Sequence, residues 1–282
     1  MKKRTSKSKP IQKRVPARPA PQSTRPSVYI IGDRQIVEEV LPAFASADYS
    51  LHYRINSSSD RTVPSTHSSK GKQELVPENV TFALELSNLD LELKRRNLEF
   101  LDRSLNPSAV IISSSVAVSA SEQSSWLGHK HRLVGCAALP WIIGRPLIEI
   151  APTPFTTTGT VTAVQSFFRS IGKEIEIVQD RVGLVFPRLL CRVINETAYA
   201  LQDEIAAPQD IDAAMKLGAE FPLGPIEWAD RIGLDQVYAV LKALHTDLGQ
   251  ERYCMAPLLK QMALGGTWWH RTQVQTDERS EA

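Results

Sequence analysis

The hydrophobic period of this 282-residue chain changes near residue 180, and that change limits the folds open to it. Before Asp180, short apolar runs alternate with segments whose apolar residues recur at helical spacing. Val28–Ile31 ends in Gly32, and Ile36, Val37, Val40, Leu41 and Phe44 follow with a helical period before a second strand at Leu51–Tyr53. Val80–Leu86, Ala109–Ile112, Leu133–Leu139, Leu147–Ala151 and Glu174–Val178 read as further strands, with helices over Asp90–Ser104 and Thr160–Gly172. Strands alternating with helices predict a mostly parallel sheet covered on both faces. From Leu184 onward only the helical period remains, beginning with Leu189, Leu190, Val193, Ile194 and Ala198. Pro208 and Asp210 mark a helix start, because proline is tolerated in a first turn and an acid suits the positive end of the helix dipole. The expected fold is α/β: a doubly wound domain over 27–182, then an all-helical domain over 183–272.

Charge is distributed unevenly. Residues 1–26 hold nine of the 33 basic residues, no acid and five prolines, leaving 24 bases against 31 acids in the rest, near −7. A segment so poor in apolar residues is expected to be a disordered basic tail able to contact anionic polymers. Residues 56–79 are rich in Ser, Thr and Lys and read as a flexible loop, and 273–282 as a frayed polar end. No run of about 18 apolar residues suits a membrane-spanning helix, and no apolar segment follows the basic N-terminus as in a secretory signal. A cytoplasmic location is therefore expected. Cys136, Cys191 and Cys254 are dispersed without metal-ligand spacing, so no metal is expected and the thiols are read as reduced.

The helical half carries a specific pattern: Asn195-Glu196, Asp210-Ile211-Asp212, Gly218, Pro222-Leu223-Gly224-Pro225, Ala229-Asp230, Gly233-Leu234-Asp235 and Pro257-Leu258-Leu259. These residues resemble the C-terminal domain of the 3-hydroxyacyl-CoA dehydrogenases, and the similarity extends over roughly Pro26 to Gly266. It implies a degenerate Rossmann-like domain followed by a helical domain that forms a homodimer and closes over the substrate. It also implies NAD as the family's cofactor and acyl-CoA as its ligand.

The residues at the family's chemical positions differ. Dinucleotide-binding folds use G-x-G-x-x-G after the first strand so that backbone can turn tightly and approach the pyrophosphate. Here the turn reads Gly32-Asp33-Arg34-Gln35-Ile36-Val37, which keeps only the first glycine and adds an acid that repels a diphosphate. The ribose-binding acid of the family falls at Ile55, and neighbouring Arg54 is a minor hint of a 2′-phosphate. The family's G-x-H-F-F-N-P strand matches Gly135-Cys136-Ala137-Ala138-Leu139-Pro140-Trp141, so its general base falls at Ala137; the glutamate that orients that base is kept as Glu149. The same register puts the catalytic serine at Val116, the substrate asparagine at Pro187, and a cofactor-contacting Glu/Lys pair at Leu89 and Lys94.

Gly32 and Lys94 are thus the cofactor-site residues that persist, and Glu149 is a catalytic relic for which Arg145 and Arg188 are candidate ion-pair partners. His129 and His131 precede the altered strand and read as solvated loop histidines. Ser119, Ser121, Ser124 and Ser125 lack a paired His and Asp, and Trp268-Trp269 reads as an aromatic pair packed on the helices. The resemblance with these replacements implies a non-catalytic member, without a bound cofactor, kept as a binding, dimerisation or regulatory partner. Two other readings stay open: an active NAD-dependent 3-hydroxyacyl-CoA dehydrogenase of fatty-acid metabolism, and an anion- or nucleotide-binding module that reuses the cleft with Arg34, Lys94, Arg145 and Glu149.

Overall fold

The structure is a computed structural model that describes residues 25–45, 47–56, 76–77, 79–266 and 269. Residues 1–24 of the predicted basic tail, nearly all of the 56–79 loop and the 273–282 end lie outside the described residues; Arg25, within the predicted tail, pairs with Asp48 at 2.9 Å. Seven strands form one sheet: β1 (Ser27–Gly32), β2 (Ser50–Ile55), β3 (Val80–Leu86), β4 (Val110–Ser114), β5 (Leu133–Cys136), β6 (Leu147–Pro152) and β7 (Glu174–Ile177). Their order is β2-β1-β3-β4-β5-β6-β7, with every neighbouring pair parallel except β5 and β6. Only ten residues, 137–146, join that pair, too few for the crossover that parallel strands need. β5 accordingly stops at Cys136, three residues short of the predicted strand end, and the chain turns back.

The apolar run of β1 is buried along its whole length, as a central strand covered on two faces must be. Val28 and Ile30 pack with α1 (Arg34–Val40) and α4 (Thr158–Ser170) through Ile36, Val37, Val164, Phe167 and Phe168. Tyr29 and Ile31 face the other way, onto Leu98 and Leu101 of α2 (Leu91–Ser104). The serine run after β4 forms the short helix α3 (Ala120–Ser125): Ser119 caps it by accepting from Glu122 N–H at 3.2 Å, and Asp180 accepts from the N–H groups of Ala120 and Ser121 at 2.8 and 2.7 Å. Ser119 thus satisfies a backbone donor at the helix start, while Ser124 and Ser125 donate their hydroxyls to the carbonyls of Ala120 and Glu122 at 2.9 and 2.6 Å.

The helical half comprises α5 (Phe186–Gln202), α6 (Pro208–Gly218), α7 (Pro225–Ile232), α8 (Leu234–Leu248) and α9 (Pro257–Gly265). Leu190, Ile194 and Ala198 of α5 pack on Ile226 and Ala229 of α7, Val237 and Leu241 of α8, and Leu259 of α9. Trp269 joins this core, as the packed reading expects for that residue, while Trp268 lies outside the described residues. The polar residues of the motif pattern tie helix ends together. Asn195 donates to Cys254 C=O and accepts from Ala256 N–H, at 2.8 and 2.9 Å, while Asp212 accepts from the N–H groups of Ile226 and Glu227 at 2.8 and 3.1 Å. Gly233 joins α7 to α8 at φ 105°, a conformation closed to most side chains. Val116, Leu139 and Ile142 of the sheet half belong to the same core, so the two halves share continuous apolar packing.

Candidate functional site

In an open α/β sheet the ligand crevice lies at the carboxyl ends of the strands where the strand order reverses. Here that point lies between β1 and β3. Gly32 closes β1 so near its neighbour that a Cβ would stand 2.6 Å from Leu86 C, which explains why glycine persists there. Asp33 follows as the N-cap of α1 but makes no side-chain bond to its own helix. Its Oδ2 accepts instead from the N–H groups of Asn88 and Leu89, at 2.8 and 3.4 Å, and from Nε2 of Gln236 on α8 at 3.4 Å. Asn88 completes the bridge: its Nδ2 donates to Gln236 Oε1 at 3.0 Å and to Ala138 C=O at 2.8 Å, and its Oδ1 accepts from Ser114 Oγ at 2.6 Å. Side chains from both halves of the chain thus meet over the crevice and satisfy one another.

Beneath the bridge lies a buried ion pair. Lys94 Nζ donates to Glu85 Oε2 and, at 3.0 Å, to Ser87 C=O; both charged side chains are essentially inaccessible. Glu85 also accepts from Ser87 N–H, Asn97 Nδ2 and Ser113 Oγ, each at 3.3 Å. A charge taken out of water needs this degree of satisfaction. Cys136 lies near the pair; burial pushes its thiol up to about 12, so it stays protonated at neutral pH.

The sequence-predicted catalytic positions hold packing rather than chemistry. Ala137 is buried in a small apolar cluster with Ala151 and Leu184. Leu184 enters it with φ 48°, on the left-handed side that non-glycine residues seldom occupy. Val116 is fully buried in the core of the helical half. Pro187 lies in the first turn of α5, where its missing N–H costs nothing.

Several expectations are corrected. Glu149 pairs with neither Arg145 nor Arg188; its oxygens accept from the N–H groups of Val185 and Phe186, at 2.8 and 2.7 Å, at the N-terminus of α5. Two backbone donors and the helix dipole meet the carboxylate as well as a guanidinium does. Arg188 donates to Val182 C=O at 2.6 Å, and Arg145 stacks on Trp141, 4.6 Å from the ring centre. Arg34, Lys94, Arg145 and Glu149 therefore form no common anion site, since Arg34 pairs with Glu38 and Lys94 with Glu85. Asp33 acts as an acceptor bridging the halves rather than only as a repulsive charge. Arg54 donates to Asn97 at 3.1 Å and lies over Phe100, so it is engaged inside the fold, and Ile55 packs against the α1 core.

His129 and His131 precede β5 and so lie at the edge of the sheet opposite Ala137. His129 is not simply solvated, because its Nδ1 is 3.2 Å from Asp102, which also binds the buried Arg132. Among the described residues no cluster of three or more His, Cys, Asp or Glu is arranged to hold a metal. Sequence reasoning missed Glu85, Asn88 and Gln236, and the only local signal was the polar character of residues 87–88 after an apolar strand.

Comparison with known proteins identifies relatives. The model of the 3-hydroxyacyl-CoA dehydrogenase NAD-binding domain matches residues 47–181, and that of the same family's C-terminal domain matches 183–274. A 3-hydroxybutyryl-CoA dehydrogenase of Bradyrhizobium diazoefficiens is 31% identical over 182 residues, 64% of this chain and 62% of the relative; the aligned region thus spans under two thirds of that protein. A Clostridioides difficile protein with the same description is 28% identical over 197 residues, 70% of each chain. Among solved structures, (S)-3-hydroxybutyryl-CoA dehydrogenase from Ralstonia eutropha superposes with a TM-score of 0.69 at 23% identity, covering 88% of this chain and 97% of that one. This last likeness is one of fold.

Proposed function

The chain belongs to the 3-hydroxyacyl-CoA dehydrogenase family, with its NAD-binding and C-terminal domains in order, and on that premise we propose that it serves as a binding and dimerising member that does not oxidise 3-hydroxyacyl-CoA. The observation that carries this reading is the state of the carboxyl edge. The position matched to the family's base is Ala137, enclosed by Ala151 and Leu184, and both oxygens of Glu149 are committed to the start of α5. Proton transfer from a hydroxyl needs a base within hydrogen-bond reach; Ala137 carries none, and Glu149 is engaged by the N–H groups of Val185 and Phe186. The matched span of the NAD-binding model begins at residue 47, beyond the Gly32 turn, which agrees with the altered phosphate loop.

The test is titration with NADH. The Asp33–Asn88–Gln236 bridge has to open, and a carboxylate has to face the diphosphate, so binding is expected to be undetectable or weaker than millimolar. A dissociation constant in the low micromolar range counts against the proposal. A second reading, an active NAD-dependent dehydrogenase, is favoured by the descriptions of the relatives and by the retained Lys94 and Glu149. Micromolar NADH affinity together with turnover of a 3-hydroxyacyl-CoA would establish it.

The helical half is proposed as the dimer surface. Ile205, Leu217 and Leu264 are 72%, 85% and 67% exposed, an unusual accumulation of large apolar side chains on one small helical unit. Stable interfaces of this kind bury on the order of 2,000 Å² and are markedly apolar. Sedimentation is expected to give a homodimer at micromolar concentration, with Leu217→Glu shifting it to monomer; a monomeric wild type refutes the assignment. Among the described residues no helix is long and apolar enough to cross a membrane.

A further inference from the structure

The 137–146 connection is held in an unusual shape. Trp141 has φ 64°, an outlier for a bulky residue, and its N–H donates to Glu39 on α1. The same carboxylate accepts from Gly144 N–H at 3.0 Å, and Lys173 donates to the carbonyls of Ile143, Gly144 and Arg145 at 3.2, 2.6 and 2.8 Å. One turn earlier on α1, Gln35 donates to Arg231 C=O at 3.0 Å, at the end of α7. A single helix face, carrying residues 35 and 39, therefore positions both the Trp141 loop and the C-terminus of α7.

The outcome is two guanidinium groups against one indole. Arg145 lies 4.6 Å and Arg231 5.4 Å from the Trp141 ring centre, Trp228 meets Trp141 edge-on at 4.1 Å, and Arg145 is also 5.7 Å from Trp228. Among the described residues no carboxylate lies within 4.0 Å of either guanidinium, and neither donates a side-chain hydrogen bond. Glu227 feels the charge of Arg231, but its Oε1 is held by Lys216 at 2.8 Å. Cation–π contact holds each guanidinium against the indole and leaves its planar N–H fork for solvent or a ligand.

We propose that Arg145 and Arg231 form a binding site for a small phosphate monoester, bridging the two halves of the molecule. Two positive charges match a group of about −1.5 to −2 with three terminal oxygens, and arginine forks bind such oxygens bidentately. A carboxylate monoanion offers half the charge and fewer acceptors. The site is independent of whether the crevice performs chemistry.

Calorimetric and thermal-melting titrations of the full chain with inorganic phosphate, phenyl phosphate and acetate, at constant ionic strength, test the assignment. Both phosphates are expected to bind saturably and raise the melting temperature by mass action, with acetate inert. Equal affinities assign the phosphoryl group alone; tighter phenyl phosphate binding adds the half-exposed Phe186 edge, 5.7 Å from Trp228, to the site. Arg145→Gln and Arg231→Gln should each weaken binding by about tenfold or more. Arg145→Lys should weaken it as well, because charge remains while the fork is lost. Arg231 is exposed, so its substitution leaves the fold intact and keeps the test decisive. Absence of saturable binding, or a phosphate-induced shift equal in wild type and Arg231→Gln, as general salt stabilisation gives, overturns the proposal.

Discussion

Lys94→Met is expected to lower stability by about 3–5 kcal/mol, the range for removing one partner of a buried ion pair, and the melting temperature by on the order of 10 °C. Lys94 and Glu85 have side-chain exposures of 1% and 0%. Without the ammonium, the carboxylate keeps only neutral donors, from Ser87, Asn97 and Ser113, in a site closed to water. Desolvation of the unpaired charge then dominates, because the cost of burying an ion exceeds what three neutral hydrogen bonds return. The variant Glu85→Gln/Lys94→Met removes both charges and is expected to recover most of the loss. Denaturant unfolding of wild type, both single variants and the double variant forms a cycle with a large coupling term. A Lys94→Met loss within about 1 kcal/mol, typical of an exposed pair, or simple additivity in the cycle, contradicts the role assigned to this pair.

Ala137→His is expected to destabilise the fold by about 1–3 kcal/mol through overpacking and to yield no dehydrogenase activity. An imidazole at this position enters the space held by Ala151 and Leu184, and Leu184 is already fixed on the left-handed side of backbone space. Glu149 is in no position to orient the new base while it caps α5. Adding Val116→Ser and Pro187→Asn deepens the loss: the serine hydroxyl lands in the apolar core shared with the helical half, where an unmatched polar group costs about 1–3 kcal/mol. Catalytic groups act as a unit, so restoring letters one by one recovers little rate. The assay is NAD reduction with 3-hydroxybutyryl-CoA for wild type, single and triple variants, alongside thermal melts. Wild-type turnover of about 1 per second, the lower end for ordinary enzymes, overturns the non-catalytic proposal.

What the sequence determined by itself was the order of elements and their class. The apolar run of β1, the helical period after Gly32 and the end of strand signals near Asp180 correspond to the observed sheet and to the helices from α5 onward. Among the motif residues of the helical half, Gly233 does local work at a turn, whereas Asn195 and Asp212 were legible as identities but reach partners on other elements, 59–61 and 14–15 positions away. The residues Ala137, Val116 and Pro187 were legible as identities, and the structure adds that Ala137 and Val116 are buried among apolar neighbours and that Pro187 lies in the first turn of α5.

Only the tertiary structure decided the partners. Asp33 and Gln236 stand 203 positions apart, and Glu39 and Trp141 102 apart, so no local period links them. A charged side chain also has several acceptable partners, and burial chooses among them. Lys94 turned to Glu85, Glu149 took backbone donors at a helix start, and Arg145 stacked on an indole. A hydrophobic period depends on where water is excluded along one element, whereas an ion pair or a hydrogen bond depends on which elements meet. That meeting is set by the packing of the two halves across their shared core.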